Sequence, residues 1–362
     1  MPRTICFFNS NRPWGGGEKF NHDFALLCRD AGLNVHVVAN QGSVLAERLR
    51  HESGLTLHEL RLGNLSFLNP LKLLTLRNLF RRERIETLVM ALPADLKAGG
   101  LAARWAGVRR IVFRRGIAVP VRDSALNRLL YGKVLHRLLV NSLETKRCVL
   151  AHNARLIPEE RIRLIYNGFD VVAYDALPGE PLVKRRGNEV LIGNAGRLTP
   201  QKGQQHLLEA ARLLKDRGLD FRLLIAGTGE SEDALRAEAA RLDVEDVTEF
   251  LGFVKDMKRF HASLDIFALS SLWEGFGYVL VEAMASERAV AAFAISSNPE
   301  VVEDGVTGLL TLPGDAVALA DALEALARDP SLRAEMGRKG RERVLERFDT
   351  RTALAQFLKA VE

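Results

Sequence analysis

The chain has 362 residues, 47% of them hydrophobic and 27% charged, which excludes a disordered or fibrous protein and makes two domains the expectation. Its formal charge of +6 is unevenly placed: residues 1–170 hold 27 Lys+Arg against 14 Asp+Glu, and the remainder holds 24 against 31. No apolar run approaches the roughly 18 residues of a membrane span, no secretory leader pattern precedes Thr4, and Cys6, Cys28 and Cys148 have neither disulfide nor metal-ligand spacing, so a reduced, cytoplasmic chain is expected.

In the first half, strand-like runs at 4–8, 35–39, 55–60, 87–91, 110–113 and 137–141 alternate with helical patterns near 18–31, 43–52, 70–83, 95–106 and 143–153. This βαβ rhythm predicts a parallel sheet. Residues 171–188, with Pro178, Gly179, Pro181 and Gly187, read as a linker. A second series follows, with strands near 189–193, 221–226, 247–250, 265–270, 289–293 and 309–311. Helices near 203–217, 231–242, 256–262, 278–286, 298–303 and 315–327 alternate with them, and two more, near 330–346 and 349–361, close the chain. The expected fold is α/β, with two Rossmann-like domains of parallel sheet (1–170 and 189–346) facing a central cleft, and the last helix, about 347–362, packing back on the first domain.

Chemistry concentrates at the turns after strands. In the first domain Gly15-Gly16-Gly17 opens a helix and offers a sterically open phosphate-accepting turn, or a plain flexible one. It is not Gly-x-Gly-x-x-Gly, and Val38-Ala-Asn40-Gln41 puts no acid at the end of the second strand, which disfavours dinucleotide binding. In the second domain Arg197 and Lys202 follow a strand and precede a helix near Gly203. A fork of donors and a point charge at such a turn suit a diphosphate. Gly227-Thr-Gly229 ends the next strand, and Glu249-Phe-Leu-Gly252-Phe253-Val254 ends another, whose backbone is placed to read a planar base. Trp273-Glu274-Gly275-Phe276-Gly277 then precedes a helix carrying Glu282. Two acceptor-only carboxylates at one sheet edge suit a ligand rich in hydroxyls.

These motifs, in this order and with Tyr166-Asn167-Gly168-Phe169-Asp170 and Asn298-Pro299-Glu300 among them, resemble the retaining nucleotide-sugar glycosyltransferases of the GT-B fold, glycosyltransferase family 4 (group 1). The resemblance covers essentially the whole chain. It implies that Arg197 and Lys202 bind the donor diphosphate and stabilise the leaving group. Glu282 would take the ribose, Glu274 with Gly275, Phe276 and Gly277 the transferred sugar, and Val254 the base. Gly196, Gly227 and Gly229 would flank the donor, and Gly16 and Gly17 would meet it from the first domain. The sequence departs from the family where a first-domain histidine is frequent: Ala91-Leu-Pro-Ala-Asp95-Leu-Lys97 stands there, and Phe113-Arg114-Arg115-Gly116 replaces a second one. Asp95 either takes the vacant catalytic role or caps the helix from Leu96. Arg114 and Arg115 either bind an anionic acceptor or lie in an exposed loop.

The expected reaction moves a sugar, with retention, from a nucleotide-diphosphate donor (UDP foremost) to a glycan or lipid-linked acceptor in surface polysaccharide or lipopolysaccharide synthesis. With no Asp-x-Asp in the chain, no metal and no cofactor are expected. The run 70–84, apolar on one face and basic at its end, fits either a core-packed helix or a peripheral contact with an anionic membrane. The basic residues lack aromatic interleaving, so no nucleic-acid partner is expected. A nucleotide-sugar 2-epimerase and a non-catalytic nucleotide-sugar-binding subunit are the alternatives.

Overall fold

The computed structural model describes residues 3–362. The chain forms two compact units. One runs to Tyr166 and adds Ala353–Glu362, and the other spans Asn167–Thr352. In the first unit β1 (Thr4–Asn9), β2 (Asn34–Asn40), β3 (Leu55–Leu60), β4 (Thr87–Met90), β5 (Arg110–Arg115), β6 (Arg137–Val140) and β7 (Ile162–Leu164) form one parallel sheet in the order β3-β2-β1-β4-β5-β6-β7. All residues of β1 and β4 are buried, as both faces of a parallel sheet require. The closing helix Thr350–Val361 joins this unit through Phe357, which packs on Phe7, Phe20 and Phe24.

The second unit contains β8 (Val190–Ala195), β9 (Phe221–Ala226), β10 (Thr248–Gly252), β11 (Ile266–Leu269), β12 (Ala289–Phe293) and β13 (Leu309–Thr311), in the order β10-β9-β8-β11-β12-β13. Its strands are also parallel. Strand order reverses beside the first strand of each sheet: between β1 and β4, and between β8 and β11. In open α/β sheets the crevice at the carboxyl ends of such strands is where ligands bind.

Three features depart from the sequence reading. Strand β7 has only three residues, Ile162-Arg-Leu164, too few to register as a period. The helix Ala125–Leu129, continued by Leu130–Val134, was not foreseen because each piece is only five residues long; Leu130, Tyr131 and Val134 are buried. Residues 171–188 are packed into the second unit. The helix Val171–Asp175 buries Tyr174, whose hydroxyl meets His261 Nδ1 at 3.0 Å and Ser286 Oγ at 2.8 Å, and Ser263 Oγ accepts the Leu182 and Val183 amides. The prolines and glycines there mark turns over a packed surface.

Candidate donor site and first-unit loop cluster

In the second unit the turns after β8 and β11 lie side by side at the switch point, latched by backbone. Leu272 N–H donates to the Gln201 carbonyl at 2.8 Å, Gln201 Nε2 to the Trp273 carbonyl at 2.9 Å, and Ser270 Oγ to the Lys202 carbonyl at 3.2 Å. Two glycines make close approaches of neighbouring turns possible, Gly203 between those after β8 and β11 and Gly227 between those after β8 and β9. Gly203 has φ +59°, and a Cβ there would run into the Ser270 carbonyl. Gly227 has φ +144°, and its Cβ would overlap the Gly196 carbonyl.

The latch brings Lys202 Nζ to 2.6 Å from Glu274 Oε1. Both side chains are nearly buried, at 14% and 9% exposure. The same carboxylate oxygen accepts from Ser271 Oγ at 2.7 Å, and Ser296 Oγ accepts the Glu274 amide at 3.2 Å. Glu274 is thus fixed on three sides, and its second oxygen is the acceptor these bonds leave over. An ammonium has three donors, of which this pair uses one.

Within the same unit a cavity of about 300 Å³ is walled by Gly196, Arg197, Gly227, Val254, Val279 and Glu282, with Phe253 also against it. Arg197 is exposed, and its guanidinium makes no hydrogen bond or ion pair among the described residues. Five predicted residues therefore share one cavity, and Lys202 and Glu274 pair within the turns beside it. Gly229 does not line the cavity; the Leu198 backbone leaves no room there for a Cβ. Phe276 is buried against Tyr278 and Phe348, with ring centroids 5.4 and 5.9 Å away, and Gly277 caps the helix Tyr278–Ala285 that carries Glu282. Sequence reading missed Ser271, Ser296 and Met257, and gave no role to Thr228 or to Phe253, which is 78% exposed, although both stand in its motifs. Ser271 sits three positions before Glu274 and was within reach. Ser296 lies 22 positions away and carries no local signal.

In the first unit the helix Gly16–Asp30 begins inside the glycine run. Gly15 is its extended N-cap, so Gly16 and Gly17 are helical rather than a flexible turn. Gly16 faces open space, whereas a Cβ on Gly17 would touch Ala91 and Leu92 at 3.6 Å. Two buried carboxylates hold the loop ahead of this helix. Glu18 Oε1 accepts from Asn9 Nδ2 at 3.0 Å, and Asp95 Oδ1 accepts the Ser10 amide at 2.9 Å. Asp95 lies inside a helix that starts at Pro93, and its side chain caps nothing, because it turns to the β1 loop instead. Arg114 and Arg115 are the last residues of β5, not an exposed loop. The Arg114 guanidinium lies 4.6 Å from the centre of the Phe20 ring, and Arg115 donates to the Val119 carbonyl at 2.5 Å.

Burial lifts the Asp95 carboxyl to about 7, with the Glu18 charge adding to the rise and the Ser10 and Leu92 hydrogen bonds opposing it. The folded state therefore holds a proton that the unfolded chain releases near pH 4. This contribution to stability is complete below about pH 4 and is lost as pH rises through about 7. Asp95→Asn keeps an acceptor for Ser10 and removes the titration. Urea unfolding at pH 5 and pH 8 should show the variant gaining on the wild type at the higher pH, by on the order of 2–4 kcal/mol. An unchanged difference between the two pH values refutes the titration.

Comparison with known proteins matches these units to one family. The family model of glycosyl transferases group 1 matches residues 183–343, and that of glycosyltransferase family 4 matches residues 14–172. The chain is 37% identical over 202 residues to a phosphatidyl-myo-inositol mannosyltransferase of Mycobacterium leprae, covering 55% of this chain and 52% of that one. It is 34% identical over 179 residues to the amylovoran biosynthesis glycosyltransferase AmsK of Erwinia amylovora, covering 47% and 44%. The chain thus spans about half the length of the curated relatives it matches. Anabaena HepE, solved in complex with UDP, superposes with a TM-score of 0.81 at 22% identity over 98% of both chains, and shares the fold. With two successive family models covering both units and the GT-B fold common to its structural neighbours, the chain belongs to the group 1, family 4 glycosyltransferases.

Proposed function

We propose that the chain transfers a sugar from a nucleotide-diphosphate donor to a glycan or lipid-linked acceptor in bacterial surface-polysaccharide synthesis. The observation that carries this reading is the Lys202–Glu274 pair set in the turns beside a cavity walled by Arg197 and Glu282. The cavity takes the nucleoside, with Phe253 and Val254 against the base and Glu282 on the ribose. Arg197 and the two remaining Lys202 donors face the diphosphate, where negative charge grows as the glycosidic bond breaks. The second Glu274 oxygen accepts a sugar hydroxyl. A leaving phosphate oxygen takes the acceptor proton on the same face, so the anomeric configuration is retained. UDP is the first nucleotide to test, since HepE was solved with it, and AmsK is named for the synthesis of a polysaccharide. In the first unit Asp95 acts through the Asn9–Gly17 loop it anchors.

A thermal-shift panel of nucleoside diphosphates and their sugars tests the reading. A donor at a hundred times its Kd stabilises the fold by about 2.7 kcal/mol, and NMR of the product reads the anomer. No stabilisation by any member of the panel overturns the proposal, as does conversion of donor alone to its epimer.

For a lipid-linked acceptor the contact surface is on the first unit. Leu65, Leu68, Leu71 and Leu74 are exposed there, and residues 61–82 contain five cations and no carboxylate. Among the described residues no helix is long and apolar enough to cross a membrane. Such a surface docks peripherally on the cytoplasmic face of an anionic bilayer, leucines in the interface and cations on headgroups. Sedimentation with phosphatidylglycerol vesicles should be salt-sensitive and fall in Leu68→Ser/Leu71→Ser; equal sedimentation of that variant rules the surface out.

A further inference from the structure

The first unit has a second cavity, at the opposite edge of its sheet from the switch point. Strands β5, β6 and β7 begin there with Arg109-Arg110, His136-Arg137 and Arg161, and the helices ending at Ala106 and Val134 add Arg104 and Lys133. The cavity is open and measures about 750 Å³. Six cations line it: Arg104, Arg109, Arg110, Lys133, Arg137 and Arg161.

None of the six forms an ion pair with a carboxylate among the described residues. This sets them apart from a molecule whose arginines are otherwise widely bridged, and composition explains it. Residues 101–150 hold 11 Lys+Arg and two carboxylates, Asp123 and Glu144, which are taken by Arg128 and Arg147. Arg137 donates instead to the Glu160 carbonyl at 3.1 Å, and Arg161 to the Gly132 carbonyl at 3.1 Å. Carbonyls orient a guanidinium without neutralising it. Two carboxylates do line the cavity, Glu160 and Glu362, and Glu362 is bridged to Arg3 at 3.2 Å. The lining side chains therefore carry a net charge of +4, six cations less two carboxylates. Two helix C-termini supply only about half a negative charge each. The convergence of charge is felt by His136: burial and then Arg104, Arg161, Arg110 and Arg137 hold its ring below the usual imidazole range. Its Nδ1 accepts the Ile111 amide at 3.1 Å, so the neutral ring carries its proton on Nε2 as one more donor.

Like charges gathered in one concavity repel each other unless an anion joins them. Guanidinium forks match the oxygens of phosphate in pairs. Each phosphoryl group brings about 1.5–2 negative charges and three acceptor oxygens, so two or three linked groups balance the lining in a way that single carboxylates cannot. We propose that this cavity binds a discrete multivalent phosphoryl anion, at a site separate from the donor turn of the second unit.

Isothermal titration of the full chain with inorganic tripolyphosphate tests this, with orthophosphate as the monovalent-site control. Saturable tripolyphosphate binding is expected, tighter than orthophosphate and weakened by salt. Arg104→Glu/Arg109→Glu replaces two exposed side chains that hold no other group in place, and should weaken it at least tenfold with no fall in melting temperature. Arg197→Ala, which keeps the buried Lys202–Glu274 pair, should leave it intact, which separates this site from the donor turn whether or not the donor reading holds. Vesicles of phosphatidylcholine, with and without cardiolipin, whose headgroup joins two phosphodiesters, identify the source of the phosphoryl groups. If the Arg104/Arg109 variant loses tripolyphosphate alone, the ligand is a free oligophosphate; if it loses the cardiolipin-dependent binding as well, the site takes a lipid headgroup with more than one phosphoryl group. No saturable binding, binding unchanged in the Arg104/Arg109 variant, or binding lost in the Arg197→Ala variant overturns the proposal.

Discussion

Arg197→Ala should lower kcat by about a hundredfold or more while leaving the fold untouched. Removing one preorganised donor from a developing oxyanion typically forfeits roughly 3–4 kcal/mol of transition-state stabilisation. The structural half of the expectation follows from exposure: the guanidinium has no partner among the described residues, so its loss uncovers no buried group. Melting temperature should therefore match the wild type, and KM for the donor should move less than kcat, because the charge on the diphosphate grows as the sugar departs. Arg197→Lys restores the charge but not the fork, and should recover only part of the rate. Steady-state kinetics with the donor found in the nucleotide panel decides it. Near-normal turnover in Arg197→Ala sinks the assignment.

The second large effect concerns Lys202, and there stability and activity should separate. Lys202→Met strands the Glu274 carboxylate at 9% exposure with only the Ser271 hydroxyl on its paired oxygen. Breaking one side of a buried pair costs about 3–5 kcal/mol, largely through the charge left behind. Glu274→Gln removes that charge and keeps an acceptor for Ser271, so Lys202→Met/Glu274→Gln should regain most of the lost stability. Transfer should remain depressed by about a hundredfold or more in the single Lys202 variant and in the double variant alike, since both lack the cation that faces the diphosphate. Urea unfolding and initial rates on the four proteins of the cycle provide the test. Equal stability of the single and double variants would mean that Glu274 is not held by Lys202. Recovery of activity along with stability would show that the lysine acts only as a structural partner.

Much of the fold was legible because parallel sheets bury both faces of each strand. Runs such as Ile5–Phe8 and Leu223–Ala226 therefore stand out as continuous apolar blocks between helices. What escaped was short or held by distant contacts. Ile162-Arg-Leu164 is a strand only because β6 lies beside it. The segment 171–188 looked like a tether because Pro and Gly are read as local punctuation, but Tyr174 is fixed by His261 and Ser286, 87 and 112 positions away. The glycines divide in the same way. Gly16 opens space, while Gly203, Gly227 and Gly229 make room for a neighbouring backbone, a distinction that spacing does not carry.

The sequence by itself determined the alternation of strands and helices, the order of the motifs and the family, because these depend on local periodicity and on residue types at fixed offsets. It also placed Arg197, Lys202 and Glu274 in the turns after strands and Glu282 in the helix that follows. Tertiary structure alone decided that Lys202 and Glu274 form one buried pair, through two turns 72 positions apart. It decided that Asp95 anchors the β1 loop rather than capping its own helix, and that Arg114 stacks on Phe20. It gathered six cations, none bridged to a carboxylate among the described residues, from five separate stretches into one cavity. The physical reason is the same in each case: a charge is defined by the sequence, but its partner, its burial and hence its energy are set by whichever strand ends the sheet order brings together.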